Sequence, residues 1–595
     1  MTLSAATMPH NLRLIGGEML VWTDNEPRRE RRPAGGGALE ELLRGLARPG
    51  GRVLVAGPHA PGVIELLDRA DMQITCLLRA YPDAAELAAR HPGVQVLCGS
   101  VAKVETEDPY DLVVALDGAE RLVSVEGVTM SWGEVAAVLA RSVAAGGALV
   151  FGQENLLGVQ RLVRMAPWYA DRTDGDWTPL GEYDETRPDS PADLDRRLTE
   201  LGLTVHDRLL GFATPGEPVV LFTDDLAQDV ALGGFLRAAV SAAAGAQYAG
   251  VPVLSDPRAL AASAVRNGAA ATFAPVWFAV ATKPGAAVPS GSRVIVSEPG
   301  TASWNLRYEV VRSSAGWARR LLGDPAPVSR DVLRRDPAAL AGPLPTGQVL
   351  EERLLELCLR RDLPELARLL TRYAGWLAAA AGQSGELTGT ALCATPDEIL
   401  VSGDDFAYLD ATWSADLRTP VDVALARALR EFAVKLITGG YSHPWPMTAD
   451  ADSLTVILGG LAGYALERPQ LTEAVSVEVR LSAARNGLDE AATEALRTQL
   501  ASVVSGTPPL DLDSHRELRM ALERMRDDLT HAQARTAWAE ELLLSREKAL
   551  RWAEQKLEIL NGSLSYRTGR LVMWPLRKIK LLLMKVLKKQ EKSAD

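Results

Sequence analysis

The chain has 595 residues, which is too long for one compact core. Its composition, 47% hydrophobic and 24% charged, excludes a disordered or fibrous protein. Its 64 Lys and Arg against 76 Asp and Glu give a net charge of −12, which argues against a general nucleic-acid binder. Four cysteines stand singly, so we expect neither a disulfide scaffold nor a metal site. The sequence has no leader pattern and no run of about 18 apolar residues, so we expect a cytoplasmic protein.

Residues 1–50 form an N-terminal extension, and from residue 51 to about 225 short β-rich runs alternate with helical patterns. The helical patterns are ELLDRA, DAAELAARH and SWGEVAAVLARSVAAGG. Apolar strands separated by helices are typical of βαβ units with right-handed crossovers. The predicted fold class is therefore α/β, with a Rossmann-like doubly wound parallel sheet. Its strands are RVLVAG (52–57), QITCLL (73–78), VQVLCG (94–99), DLVVAL (111–116) and GALVFG (147–152).

The next predicted helix, SPADLDRRLTELGL, has Ser190 as its cap and Pro191 at its first position. The runs TVHDRLLGF and PVVLFTD then predict the terminal strands of this domain. From 226 to 508 Ala-rich helices dominate, with strand candidates at 271–283, 293–298 and 305–312 and loops at 284–292 and 322–346. We expect a second, α-rich α+β domain there.

A sustained 3.5-residue repeat runs through residues 514–562. Only Thr536 and Arg546 are polar among its positions, which are spaced alternately by four and three residues. This pattern predicts a C-terminal coiled-coil helix and a homo-oligomer; the alternative is one long helix lying on its own domain. The repeat positions are Leu518, Leu522, Met525, Leu529, Ala532, Thr536, Ala539, Leu543, Arg546, Leu550, Ala553, Leu557 and Leu560.

Residues 563–595 form a basic tail. Between residues 566 and 595, nine Lys or Arg stand against two acidic residues, so this segment carries +7 and the preceding chain −19. In WPLRKIKLLLMKVLKK, basic side chains fall on one side of a helix and apolar ones on the other. Starting at Trp574, this pattern predicts a basic amphipathic helix on an anionic membrane surface. The alternatives are a solubilised tail or a helix that docks on a partner.

The turn in VLVAGPHAPGVIELL (53–67) lies where a doubly wound sheet binds a nucleotide-like ligand. Gly57 and Gly62 would let the backbone approach such a ligand, although the loop is short of a full glycine fingerprint. A sharper signal is the order of this glycine turn, YDLVVALDGAERL (110–122), a helix and GGALVFGQENLLG (146–158).

At this point residues 50–225 resemble the class I S-adenosylmethionine-dependent methyltransferases. YDLVVALDGAER looks like the fourth-strand segment of that family, and AGGALVFGQENLLG looks like its fifth strand. The ENLLG stretch and the segment from 186 to 222 are similar to methyltransferase domains of bacterial surface-polysaccharide biosynthesis. The resemblance implies S-adenosyl-L-methionine as cofactor and a glycan or lipid-linked sugar as substrate.

Methyl transfer to a hydroxyl needs alignment and a general base, for which the resemblance offers His59 and Glu154 by location. Asp117 is the candidate for a cofactor or substrate contact, in addition to the cofactor-binding candidates Gly57 and Gly62. The alternatives are that His59 is only a turn residue, that Asp117 caps a helix and that Glu154 pairs with Arg161.

The sequence departs from the methyltransferase family at the cofactor loop. Val55 stands where the family has an acidic residue at the end of the first strand. Arg79 or Ala80 stands where the family has the carboxylate that holds the ribose hydroxyls. His59 and Pro61 replace small residues of the loop, which could shrink the pocket.

A second resemblance falls in CATPDEILVSGDDFAYLDATW (393–413), which is similar to the catalytic and metal loops of aminoglycoside-phosphotransferase and choline-kinase type kinases. Matching Glu398-Ile399-Leu400 to the family's Asn-Ile-Leu puts Cys393 at the catalytic base and Asp410 at the metal ligand. A thiol is a poor base, so the resemblance implies a pseudokinase-like domain. The alternative is a helical domain with a chance hairpin.

The order of methyltransferase, kinase-like domain, coiled coil and basic tail is similar to the chain-terminating methyltransferase-kinases of O-antigen synthesis. It implies a methyltransferase acting on a cell-surface polysaccharide, peripheral on the inner face of the plasma membrane. The alternative is a catalytically inactive, membrane-associated scaffold for glycosyltransferases of the same pathway. An active sugar kinase ranks last, because Cys393 stands at the base.

Overall fold

A computed structural model describes residues 8–25, 32–105, 107–163, 184–248, 253–285, 291–298, 304–314, 316–446, 449–502, 512–562, 568–569, 573–575 and 577–584. Within 512–562, side chains are described for 525–526, 529–548 and 550–557. The chain divides into two compact units, Met1–Pro508 and Pro509–Asp595.

The strands of the first unit belong to one large sheet and two small ones. In chain order they are β1 (Leu12–Gly16), β2 (Arg52–Ala56), β3 (Gln73–Leu78), β4 (Gln95–Gly99), β5 (Tyr110–Ala115), β6 (Val143–Glu154), β7 (Thr204–Ala213), β8 (Pro218–Thr223), β9 (Val276–Thr282), β10 (Val294–Ser297), β11 (Arg307–Ser313), β12 (Gly316–Leu321), β13 (Val328–Arg330), β14 (Leu333–Arg335), β15 (Gly342–Pro343), β16 (Gln348–Val349), β17 (Glu386–Gly389), β18 (Ile399–Ser402), β19 (Asp405–Tyr408) and β20 (Trp413–Pro420).

The helices lie between these strands and dominate after residue 350. They are α1 (Gly37–Arg44), α2 (Pro61–Arg69), α3 (Tyr81–Arg90), α4 (Trp132–Ser142), α5 (Val159–Leu162), α6 (Pro191–Glu200), α7 (Gly233–Gln247), α8 (Pro257–Arg266), α9 (Ala270–Phe273), α10 (Leu350–Arg360), α11 (Leu363–Ala381), α12 (Val421–Thr438), α13 (Ala451–Leu461), α14 (Arg468–Asn486), α15 (Glu490–Ala501) and, in the second unit, α16 (Leu512–Gly562).

The large sheet contains a doubly wound parallel core. Its thirteen strands follow the order β1-β4-β3-β2-β5-β6-β9-β7-β8-β10-β11-β12-β15, and β1 through β6 are parallel to one another. Alternate strand residues face opposite sides: Val53 and Val55 pack in the cluster that holds α1 to α3, and Leu54 packs in the cluster that holds α4, α6 and α7. The five predicted strands and the α/β class are confirmed.

Two predicted local boundaries have different outcomes. Helix α6 begins as predicted, with Pro191 at its first turn and the Ser190 Oγ accepting from the Asp193 N–H at 3.2 Å. The helix predicted through SWGEVAAVLARSVAAGG is too long, because α4 ends at Ser142 and Val143 already pairs with Tyr110 of β5. Gly146, with φ +73°, lies in the irregular stretch that follows, where a helix could not continue.

The large sheet crosses the predicted boundary at residue 225. Strand β9 runs antiparallel between β6 and β7, so β7 and β8 are not terminal strands. All seven residues of β9 are buried, as a strand covered on both faces requires, and its continuous run VWFAVAT carries that signal. Strand β1, from the predicted N-terminal extension, extends the other edge beside β4.

From residue 322 to 502 helices dominate, and the strands form small antiparallel sheets apart from β15. Strands β13, β14, β20 and β17 form one sheet and β16, β18 and β19 another. The segment predicted as a loop at 322–346 contains the short strands β13, β14 and β15. Helices α10 to α14 share one core centred on fully buried side chains such as Tyr373 and Phe432.

In the second unit, residues 512–562 form the single helix α16. The tail is helical where it is described between residues 573 and 584. The basic residues of the tail from 585 onward lie outside the described residues. In α16, the side chains of the predicted repeat residues Leu518, Leu522 and Leu560 also lie outside them. No helix in the described parts of the chain combines the length and the apolarity that crossing a membrane requires.

Candidate active site at the switch point of the sheet

The strand order reverses between β2 and β5, because β3 and β4 lie on one side of β2 while β6 lies beyond β5. Crevices that bind ligands in doubly wound sheets open at the carboxyl ends of such a pair. Gly57, His59 and Gly62 follow β2, Asp117 follows β5, and Glu154 ends β6. All five predicted site residues therefore lie at one edge of three neighbouring strands.

Gly57 and His59 shape the turn after β2. Gly57 has φ +91° and donates its N–H to the Leu77 carbonyl at 3.0 Å. The Nδ1 of His59 lies 3.0 Å from the Gly57 carbonyl. Since a carbonyl only accepts, Nδ1 carries the proton in this contact, and Nε2 is the ring's acceptor in the neutral form. Burial holds the pKa of His59 below its ordinary value, which favours that neutral form.

Gly62 is a packing position between two helices. A Cβ atom at Gly62 would lie 2.2 Å from the Oε1 of Glu40 on α1. Glu40 in turn accepts from Arg307 of β11 at 2.8 Å. The space beside Gly62 is thus occupied by the Glu40 side chain.

Asp117 and Glu154 both hold arginine partners. Asp117, 7% exposed, accepts two hydrogen bonds from the Arg121 guanidinium, one of them at 2.8 Å. Glu154 pairs with Arg161 at 3.1 Å, the partner that the alternative interpretation gives it. Nearby, Arg187 makes a buried ion pair with Glu120 at 2.7 Å. The acidic groups of this edge are therefore compensated within the chain.

A segment of the N-terminal extension lies across the same edge. We call residues 17–25 and 32–36 the strap. Met19 donates its N–H to the Arg79 carbonyl and accepts from the Tyr81 N–H, at 2.9 and 3.1 Å. Farther along, Ala34 donates to the Pro58 carbonyl and accepts from the Ala60 N–H, at 3.2 and 2.8 Å. The strap thus hydrogen-bonds to the turns after both β3 and β2.

The strap fixes Arg79, the residue at the position where the family resemblance places a ribose-binding carboxylate. Arg79 donates to both carboxylate oxygens of Asp24 at 2.8 Å, and its Nη1 donates to the Val123 carbonyl at 2.9 Å. The Trp22 ring centroid lies 5.7 Å from the guanidinium carbon. Arg79 and Asp24 are each 2% exposed. With the strap in place, a buried Arg79–Asp24 pair occupies the position at which the resemblance puts a ribose-binding carboxylate, so these residues do not fit a nucleoside there.

Asp83 anchors the strap from helix α3. It accepts a hydrogen bond from the Asp24 N–H at 2.7 Å and another from the Thr23 hydroxyl. Burial raises the pKa of Asp83. Burial also pushes the pKa of Asp24 upward, but the hydrogen bonds and the charge of Arg79 outweigh it and hold that pKa below the ordinary value.

Asp24 and Arg121 compensate the charges of Arg79 and Asp117 in this crevice, and neither was among the predicted site residues. Arg121 also donates to the carbonyls of Asp24 and Arg32, so it joins the strap to the turn after β5. The carboxylate of Asp24 and the guanidinium of Arg79 are 55 positions apart in sequence. No periodic pattern in EMLVWTDN indicates their contact.

The kinase-like motif forms the β18–β19 hairpin and the turn before it. Burial raises the pKa of Cys393 to about 11, so the group at the proposed base position is a thiol at neutral pH. Asp410 pairs with Arg335 at 3.0 Å, and Asp397 pairs with Lys435 at 2.6 Å. Among the residues that the structure describes, no group of His, Cys, Asp and Glu could hold a metal ion.

Comparisons with known proteins give matches among solved structures alone: no protein-family model and no curated protein matches. A TehB-like S-adenosylmethionine-dependent methyltransferase from Corynebacterium glutamicum is 12% identical over 41% of this chain and 87% of its own, with a TM-score of 0.22. A methyltransferase from Geobacter sulfurreducens, in complex with S-adenosyl-L-homocysteine, is 17% identical over 43% of this chain and 94% of its own, with a TM-score of 0.24.

The glycopeptide N-methyltransferase MtfA, complexed with sinefungin, is 12% identical over 47% of this chain and 96% of its own, with a TM-score of 0.24. These ligands belong to those proteins. The residues that decide what this chain binds are its own, at the ends of β2, β3, β5 and β6.

Proposed function

We propose that the chain is an S-adenosylmethionine-dependent methyltransferase of surface-glycan synthesis whose cofactor crevice is covered by its own strap. The observation that carries the proposal is the convergence of Gly57, Asp117 and Glu154 on three neighbouring strand ends at the switch point. The resemblance of residues 50–225 to class I methyltransferases supplies the cofactor, and the resemblance of the ENLLG segment supplies the glycan substrate class.

Cofactor binding in this proposal requires the strap to leave the crevice. The strap places Asp24 and Trp22 over Arg79 and pairs with the turn that carries His59. When a ligand and a protein segment compete for one crevice, the ligand binds only the molecules in which the segment has left the crevice. The affinity for the ligand therefore depends on how firmly the segment is held. Weakening the strap is therefore expected to tighten cofactor binding.

A second candidate function is favoured by the same buried pair. If the strap never leaves, Arg79 and Asp24 fill the nucleoside position permanently, and the sheet is an inert framework. The chain would then be a membrane-associated scaffold that positions glycosyltransferases through its helix and tail.

Calorimetric titration of the full chain with S-adenosyl-L-methionine separates the two functions. The methyltransferase is expected to bind saturably, with a stoichiometry of one per chain, and the Asp24→Asn variant is expected to bind more tightly. The matched control is Glu105→Gln, which removes an exposed ion pair with Arg13 outside the strap. Absence of binding to all three proteins at millimolar ligand would overturn the methyltransferase proposal and leave the scaffold.

We further propose that α16 joins two or more copies of the chain and that the tail lies on the anionic inner face of the plasma membrane. The described tail exposes apolar side chains to solvent, and Lys578 lies 4.3 Å from the ring centroid of Trp574. Such a basic helix with exposed apolar residues suits the interface of an anionic leaflet. The exposed residues are Met573, Trp574, Ile579, Leu581, Leu582, Leu583 and Met584.

A further inference from the structure

Helix α16 presents a row of apolar side chains to solvent within its own unit. Met525, Leu529, Leu543 and Leu550 are 58–66% exposed. They follow the alternating spacing of the seam of a coiled coil, in which Leu529, Thr536, Leu543 and Leu550 take a positions and Met525, Ala532, Ala539 and Arg546 take d positions. In a coiled coil, side chains at these positions pack against a second helix.

We infer that the α16 helices of two copies pair in antiparallel orientation, in the register that places Met525 of one copy opposite Leu550 of the other. The inference rests on the proposed pairing of chains through α16, and it adds the number of copies, their direction and their register. What faces Arg546 in the seam decides the direction, and the flanking charges and the length of the helix support the register.

Arg546 is the charged member of the described seam and decides between the two directions. In a parallel pair each seam residue faces its own counterpart, so two Arg546 guanidinium groups would meet. In the antiparallel register an a position faces a d position, and Arg546 faces Leu529 of the other copy. There the aliphatic stem of Arg546 covers the leucine while the guanidinium reaches water. The other facing positions pair Met525 with Leu550, Ala532 with Leu543 and Thr536 with Ala539.

The flanking charges fit the chosen antiparallel register. The residues that follow the d positions are Arg526, Gln533, Glu540 and Glu547, and in an antiparallel pair such residues of the two chains lie side by side. The chosen register sets Arg526 beside Glu547 and Gln533 beside Glu540. In a parallel pair Glu547 would lie beside Leu542 and Arg535 beside Glu540, so these charges are compatible with either direction and bear on the register alone. Glu547 also holds Arg551 within its own helix at 2.6 Å, and since both are exposed its carboxylate can accept a second donor.

The length of the helix selects the register. In this register the axis of symmetry passes between Ala537 and Trp538, at the middle of Leu512–Gly562. The two helices therefore overlap along their whole length. A shift by one heptad in either direction would leave about seven residues of each chain unpaired.

Cysteine cross-linking of the full chain tests the direction. Under oxidation, a mixture of the Met525→Cys and Leu550→Cys variants is expected to give a disulfide-linked dimer that contains one chain of each kind. Neither variant alone is expected to cross-link, since its cysteines are about 38 Å apart in the antiparallel pair at 1.5 Å per residue. The unsubstituted chain controls for its native cysteines. Cross-linking of Met525→Cys alone would overturn the direction, even with the dimer intact.

A charge-reversal cycle tests the register without new cysteines. Arg526→Glu is expected to raise the dimer dissociation constant about fivefold, and adding Glu547→Arg is expected to restore it. Glu541→Arg, which changes the charge on the face away from the seam, is the matched control. Lack of restoration by Glu547→Arg would overturn the register. A monomeric or trimeric mass of the unsubstituted chain in light scattering would overturn the pairing itself.

Discussion

Arg79 and Asp24 form a buried, bidentate ion pair at the point where the strap crosses the end of β3. Removing one partner of such a pair leaves the other charged and without compensation in a site that excludes water. Asp24→Ala is therefore expected to destabilise the chain by about 3–5 kcal/mol in urea unfolding. Adding Arg79→Leu is expected to recover most of that loss, because the buried charge is then gone. A double variant no more stable than Asp24→Ala would contradict this account of the pair.

The same pair makes stability depend on pH in a predictable direction. The folded-state pKa of Asp24 lies below its ordinary value of 3.8, so ionised Asp24 stabilises the fold above that pH. Its contribution is lost as the pH falls through the lower, folded-state pKa. The stability difference between the unsubstituted chain and Asp24→Asn is expected to be constant from pH 7 to pH 5 and to shrink below 3.8. A stability difference between the two proteins that grows as the pH falls would contradict a lowered pKa of Asp24 in the folded state.

Cys393 gives a residue-scale test of the kinase-like motif. Because burial raises the pKa of Cys393 to about 11, its alkylation by iodoacetamide is expected to be slow at pH 8 and to accelerate as the pH approaches that value. The denatured chain, in which the thiol has its ordinary pKa, is the control. Rapid alkylation of the native chain at pH 7 would mean that Cys393 is an activated thiolate.

Strand β9 covers the edge of the parallel core, because it pairs with β6. It pairs with β6 along one side and with β7 along the other, so a chain that ends at residue 225 lacks the strand between them. The open edges of β6 and β7 would expose buried, apolar strands. Residues 1–225 are expected to show no cooperative urea unfolding by circular dichroism, whereas residues 1–508 are expected to unfold cooperatively. A cooperative transition of the shorter chain would show that β9 is dispensable.

The parallel core could be predicted from the sequence because each of its strands is a local, apolar run between helices. β9 carries an equally clear run, VWFAVAT, but the sequence order gives no sign that it inserts between β6 and β7. The edge that carries Gly57, Asp117 and Glu154 follows from topology, and so it was predictable. The strap was not, since the contact of Asp24 with Arg79 joins an irregular segment to a strand end.

Charge is distributed unevenly along the chain. The last thirty residues carry +7 and the preceding part −19. An acidic body is repelled by an anionic membrane, so the membrane attachment proposed above requires the tail. In the described tail, basic residues such as Lys578 stand among exposed apolar residues such as Leu582, so the proposed contact would combine electrostatic attraction with apolar insertion at one surface.

Co-sedimentation with liposomes separates these two contributions. The full chain is expected to bind vesicles that contain anionic lipid and to be released as salt rises, because the Debye length shortens from about 10 Å at 0.1 M to about 3 Å at 1 M. Replacing Arg577, Lys578 and Lys580 with Glu is expected to abolish binding, and replacing Leu581, Leu582 and Leu583 with Ser is expected to weaken it at every salt concentration. Vesicles of neutral lipid and a chain with Glu541→Arg are the controls. Equal binding by a chain that lacks residues 566–595 would place the membrane contact elsewhere in the molecule.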